Sequence, residues 1–130
     1  MAEQSAIGAF VLRIAVGLIF LVAGFGKLMN PAMPTGMLEG LGFPMAAMFA
    51  WVLIIVEIGG GAMLLLGWNV QYASIPLAII LVVATITVFI PQLGGDNPMA
   101  MMDVLWHVIG IGALISLYLT GPGAYALQKE

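Results

Sequence analysis

The sequence contains no cysteine and a single histidine. Without cysteine there are no disulfides, no thiol redox chemistry, no thiolate zinc sites and no cysteine-held Fe–S cluster. One histidine excludes a haem held by two histidines of this chain. Charge is almost as scarce. Three Lys+Arg and six Asp+Glu make up 7% of the 130 residues, against about 25% in ordinary soluble domains. Three basic side chains cannot neutralise many phosphates, so nucleic acid is excluded as a partner. No Lys or Arg precedes Arg13, so no signal-peptide n-region is visible and the first apolar run reads as a retained membrane helix.

What is present is hydrocarbon. Hydrophobic residues make up 63% of the chain, and mean hydropathy is +1.18. A sphere of this size cannot hide that much apolar surface from water, so lipid is the solvent. A bilayer core of about 30 Å needs roughly 20 apolar residues in a helix. Four segments meet that length: 6–29, 45–66, 72–90 and 99–119. Asn30-Pro31 ends the first, and Pro34, Gly36, Gly40, Gly42 and Pro44 predict an irregular stretch after it. Gly67-Trp68-Asn69 and the segment 91–98 supply the next two turns, and Gly121-Pro122-Gly123 closes the last helix. The expected fold is all-α: an integral membrane four-helix bundle forming a single transmembrane domain, with both termini on one side, here called side A. The loops 30–44 and 91–98 then lie on side B. Lys129 on side A against Lys27 on side B barely engages the positive-inside rule, which points to side A as cytoplasmic in a cell (inner) membrane.

Charges in lipid are costly, so each needs a reason. Arg13, Gly17, Phe20, Gly24 and Lys27 recur at spacings of 4, 3, 4 and 3, which places them on one helical face. Gly17 and Gly24 on this face, and Gly59, Gly60 and Gly61 on the second helix, allow close backbone approach. Glu57 sits just before that triple glycine, and Asp103 and His107 are four apart on the last helix. Distances from the helix ends predict two ion pairs, Arg13–Glu57 and Lys27–Asp103. These pairs read either as structural contacts that fix helix register or, with His107, as a site for a proton or a polar headgroup such as that of a quinone. Eight of ten methionines fall near side B: Met29, Met33, Met37, Met45, Met48, Met99, Met101 and Met102. They suit an adaptable partner surface. A Cu(I) site of Met99, Met101, Met102 and His107 is a further alternative, opposed by the lack of a methionine repeat accompanied by several histidines.

Three motifs resemble one family. They are Arg13-x3-Gly17-x2-Phe20-x3-Gly24-x-Gly26-Lys27, then Glu57-x-Gly59-Gly60-x3-Leu64-x2-Gly67, then Gly121-Pro122-Gly123-Ala124-Tyr125-Ala126-Leu127. In this order they resemble the DoxX family of small four-helix membrane proteins across essentially the whole chain. The resemblance implies the four-helix membrane fold. It also implies a role in membrane-associated oxidoreductase complexes, since the family's namesakes are membrane subunits of an archaeal thiosulfate:quinone oxidoreductase. Thiol chemistry known from related proteins cannot transfer to a chain without cysteine. The expected function is an accessory subunit beside other integral membrane subunits or in a homo-oligomer. The alternative is a quinone-binding subunit acting directly in oxidation of thiosulfate or a similar donor, and the third reading is a copper-binding or transport protein.

Overall fold

The computed structural model describes residues 2–127; Lys129, which entered the orientation argument, lies outside them. Helix α1 spans Ala2–Met29, α2 Ala32–Gly40, α3 Ala46–Leu66, α4 Val70–Ala84 and α5 Ala100–Thr120. The α4 axis continues through a π-helical turn, Thr85–Phe89, and a 3-10 turn, Ile90–Gln92. Four stretches are long and apolar enough to cross a membrane: Glu3–Met29, Ala46–Leu66, Val70–Gln92 and Ala100–Thr120. They pack as a closed ring in which α1 meets α3, α3 meets α4, α4 meets α5 and α5 returns to α1. The segment after α5 lies against the start of α1 and the end of α3, through Ala124 N–H to Ala6 O (2.9 Å) and Leu127 N–H to Leu66 O (3.0 Å). Both ends of the described chain are therefore on side A.

The α3–α4 turn follows from one glycine. Gly67 takes φ +70° and donates to Leu64 O, while Trp68 donates to Met63 O. These two bonds are a Schellman motif, which satisfies carbonyls the helix end would otherwise orphan. Side B departs from expectation. The stretch after Asn30 contains helix α2 rather than irregular chain. Its prolines explain why: Pro31 is the N-cap and Pro34 the third helical residue, so neither removes an N–H that the helix would have used. In the π-helical turn, the Thr85 and Thr87 hydroxyls donate back to Leu81 O and Val83 O of α4. Pro91 supplies no N–H to the carbonyl of Thr87. Both features loosen the α-helical ladder where the π turn appears.

The interior combines Val16 and Phe20 of α1, Leu64 of α3, Val70, Ala73 and Leu77 of α4, and Leu114 and Leu117 of α5. Lipid tails are as apolar as these side chains, so close packing has to hold the helices together. A Cβ on Gly17 would lie 3.0 Å from Gly61 O, and one on Gly61 would lie 3.0 Å from Gly17 O. A Cβ on Gly24 would come within 2.6 Å of the Ile58 side chain, and one on Gly60 within 2.9 Å of Leu77 on α4. Gly59 does not share this role: a Cβ there would have nothing within 4 Å. At 3.6 residues per turn, three consecutive glycines cannot all face neighbours.

Candidate functional site

The α1–α3 register decides which charges meet. The two helices are antiparallel, with Gly17 against Gly61 and Gly24 against Glu57 and Ile58. Side chains on a helix lean toward its N-terminus. Arg13 therefore reaches toward side A, and Lys27 reaches back to the level of Gly24, where Glu57 lies.

Arg13 is fully buried, yet among the described residues it pairs with no carboxylate. Its guanidinium donates to five backbone carbonyls: Nε to Pro122 (3.0 Å), Nη1 to Leu64 and Leu65 (2.8 Å each), Nη2 to Ala124 (2.8 Å) and Tyr125 (3.2 Å). Leu64 and Leu65 belong to the last turn of α3, where carbonyls carry the negative pole of the helix dipole. That pole serves as the counter-charge. The Phe10 ring lies 5.3 Å from the guanidinium carbon and packs edge-on against Tyr125. A cation at that distance is within reach of the ring's negative face. Glycine is required twice around this cage. A Cβ on Gly67 would sit 2.5 Å from Ala126 and 2.8 Å from Arg13 Nη1. Gly123, at φ +72°, has Ala6 O where a Cβ would go.

Lys27 Nζ pairs with Glu57 Oε1 at 2.8 Å, with side-chain exposures of 19% and 5%. The contact is an ion pair without hydrogen-bond alignment, and the carboxylate has no further partner among the described residues. Lys27 also lies in the last turn of α1, where a cation complements the helix dipole. Asp103 occupies the first turn of α5, the favourable end for an anion. His107 Nδ1 is 2.7 Å from the backbone carbonyl of Asp103, and its ring packs on Phe89 with centroids 4.2 Å apart. A carbonyl only accepts, so Nδ1 carries the proton and a neutral ring leaves Nε2 as an acceptor.

The expected Arg13–Glu57 and Lys27–Asp103 pairs are thus replaced. In the observed register Arg13 stands beside Leu65, eight residues and about 12 Å along α3 from Glu57. Lys27 takes Glu57, and the Asp103 carboxylate has no ion pair among the described residues. The single polar system expected from the sequence is three separate ones. The copper alternative also loses its geometry: at 100° per residue Met101 projects from the side of α5 opposite Met99 and His107. Among the described residues no three His, Asp or Glu side chains could hold a metal together.

Sequence reasoning gave no role to the segment after α5 as the ligand of Arg13. The signal was the Gly-Pro-Gly turn, whose two glycines admit a tight passage over α1. Nor did it anticipate a cleft of about 300 Å³ between α4 and α5, lined by Ser74, Ile75, Ala78, Leu114, Ile115 and Tyr118. Ser74 Oγ is not free there, because it donates to Val70 O at 2.8 Å. At the side A mouth, Gln71 Nε2 donates to Tyr118 O and ties the two helices together.

Comparison with known proteins agrees with this architecture. "Inner membrane protein YphA" of Escherichia coli K12 is 30% identical over 126 residues, covering 92% of this chain and 87% of that protein. "Uncharacterized membrane protein Rv3486" of Mycobacterium tuberculosis is 32% identical over 130 residues, covering 92% and 78%. "Inner membrane protein YqjF" of Escherichia coli K12 is 26% identical over 129 residues, covering 99% and 95%. No solved structure matches. The sequence model of the DoxX family matches residues 8–90, and with the four-span bundle this places the chain in the DoxX family of membrane proteins.

Proposed function

We propose that this DoxX-family membrane protein is an accessory subunit of a larger complex in the cytoplasmic (inner) membrane, with its termini facing the cytoplasm. One observation carries the reading. The buried charges are spent on the bundle itself, Arg13 on backbone carbonyls and Glu57 on Lys27, while the α4–α5 cleft is left unfilled on the outer surface. The small side chain of Ala78 leaves room in that cleft for a neighbouring helix to approach closely. Its apolar lining, about 8 Å long on α4, suits one or two turns of a spanning helix of another subunit. The names of two relatives as inner membrane proteins support the location.

The quinone-binding alternative rests on His107, whose Nε2 is an available acceptor. The fit is poor. A quinone needs a polar contact and an apolar cleft at one place. Here His107 lies seven residues, about 10 Å along α5, from Leu114 at the near edge of the cleft. In a quinone-linked complex, a partner subunit would have to complete the ligand site.

The test is purification from native membranes in mild detergent, with mass spectrometry of co-migrating proteins. A stoichiometric second membrane subunit is expected, and Ala78→Leu should displace it while the chain's own helix content stays unchanged. Recovery of this chain alone as a homo-oligomer would overturn the subunit reading.

A further inference from the structure

The nine-residue helix α2 connects two spanning helices on side B, yet at about 14 Å it cannot cross a bilayer core of about 30 Å. Its side chains sort by angle. At 100° per residue, Met33, Met37, Leu41, Pro34 and Leu38 fall within an arc of about 140°, and Ala32, Thr35, Gly36, Glu39 and Gly40 occupy the remainder. Only one edge of the apolar arc is covered. Pro34 and Leu38 are buried, with Leu38 packing on Ala46 and Ala50 of α3. Met33, Met37 and Leu41 are 57%, 41% and 39% exposed. Glu39, on the arc opposite this stripe, is exposed, and a Cβ on Gly36 or Gly40, which border the stripe, would have nothing within 4 Å. Met29, four residues before Met33 at the end of α1, is likewise exposed.

We propose that α2 lies in the plane of the side B interface, with Met33, Met37 and Leu41 inserted among the acyl chains and Glu39 facing water. Helix α2 joins the spanning helices α1 and α3 at their side B ends, the level of the bilayer edge, and its stripe follows the exposed Met29 at the end of α1. A helix with one apolar and one polar arc is the form in which a short segment rests in a bilayer surface. The unbranched thioether side chains of Met33 and Met37 adapt to mobile lipid tails without a fixed pocket. This inference does not depend on the subunit reading.

The absence of cysteine makes the test direct, because a single introduced thiol is the only labelling site. Met33→Cys, Met37→Cys, Gly36→Cys and Glu39→Cys would each carry a bimane fluorophore in phosphatidylcholine vesicles. Val22→Cys on the exposed face of α1 and Asp96→Cys in the α4–α5 loop calibrate the two environments. Acyl-chain nitroxide lipid should quench the labels at 33 and 37 several-fold more than those at 36 and 39, and aqueous iodide should give the reverse order. Stronger iodide quenching at 33 and 37 than at 36 and 39 would overturn the proposal. Protection of 33 and 37 from both quenchers would also overturn it, and would mean that protein covers the stripe.

Discussion

Replacing Arg13 with lysine keeps the positive charge and changes only how it is distributed. The guanidinium is a planar fork, and it reaches two separate groups of acceptors. Nη1 takes the last-turn carbonyls of α3, while Nε and Nη2 take Pro122, Ala124 and Tyr125. An ammonium has three donors on one atom and cannot span both groups. Arg13→Lys therefore loses at least two of the five bonds. Hydrogen bonds to charged groups are worth about 1.5–3 kcal/mol each in water-soluble proteins, which gives about 3–6 kcal/mol. Interhelical polar contacts measured within membranes are weaker, about 0.6 kcal/mol on average and about 1.7 at most. The lower bound is then about 1 kcal/mol, and we expect about 2–4 kcal/mol. Unfolding in mixed micelles of increasing SDS fraction, followed by circular dichroism, measures the loss. A single cysteine at Ala126 reports the mechanism, because that residue packs against Gly67 and is partly buried. In Arg13→Lys its alkylation should accelerate before helicity is lost, as the α5 end-segment lets go. Stability within about 0.5 kcal/mol of the parent, together with unchanged alkylation, would show that the five bonds do not hold this segment; changes of that size are typical of surface sites.

Other substitutions separate the remaining contacts. Lys27→Met and Glu57→Leu should each cost about 3–5 kcal/mol in the same micelle assay by stranding one buried charge, while the double substitution should fall close to the parent. Gly61→Ala should destabilise by about 1–3 kcal/mol, because the new methyl meets the backbone of Gly17 and Leu21. Gly59→Ala, with open space at its Cβ, should be neutral or stabilising by up to about 1 kcal/mol. Met45→Gly should stabilise by about 1 kcal/mol, because Met45 has φ +53° and an exposed side chain; a lower midpoint SDS fraction would refute that.

The spanning helices were legible because lipid imposes one requirement, about twenty apolar residues, that composition meets directly. The interior face of α1 was legible for a related reason: a 3.6-residue period survives in any register. Register itself was not legible. Aligning helix ends placed Arg13 beside Glu57, whereas the Gly17–Gly61 approach fixes the actual offset. A pattern of small residues announces that two backbones touch without saying which residues meet. Helix α2 was hidden by counting its prolines and not weighing their positions, since Pro31 and Pro34 fall where a helix has no N–H to lose. The ligands of Arg13 were invisible for a different reason. Backbone carbonyls are present at every residue, so no side-chain pattern marks them.

The Arg13 cage also has a temporal side. Its first ligand from beyond α5, Pro122, lies 109 residues downstream of the arginine. At a synthesis rate of roughly 5–20 residues per second, Arg13 is made roughly 5–20 s before that carbonyl exists. Throughout that interval α1 carries a cation without its full complement of acceptors. Helix α1 therefore has to wait, in the insertion machinery or near the aqueous edge, until the later helices arrive. Arrival of the Gly-Pro-Gly turn lets the segment after α5 lock α1, so the bundle closes only once that segment has been made.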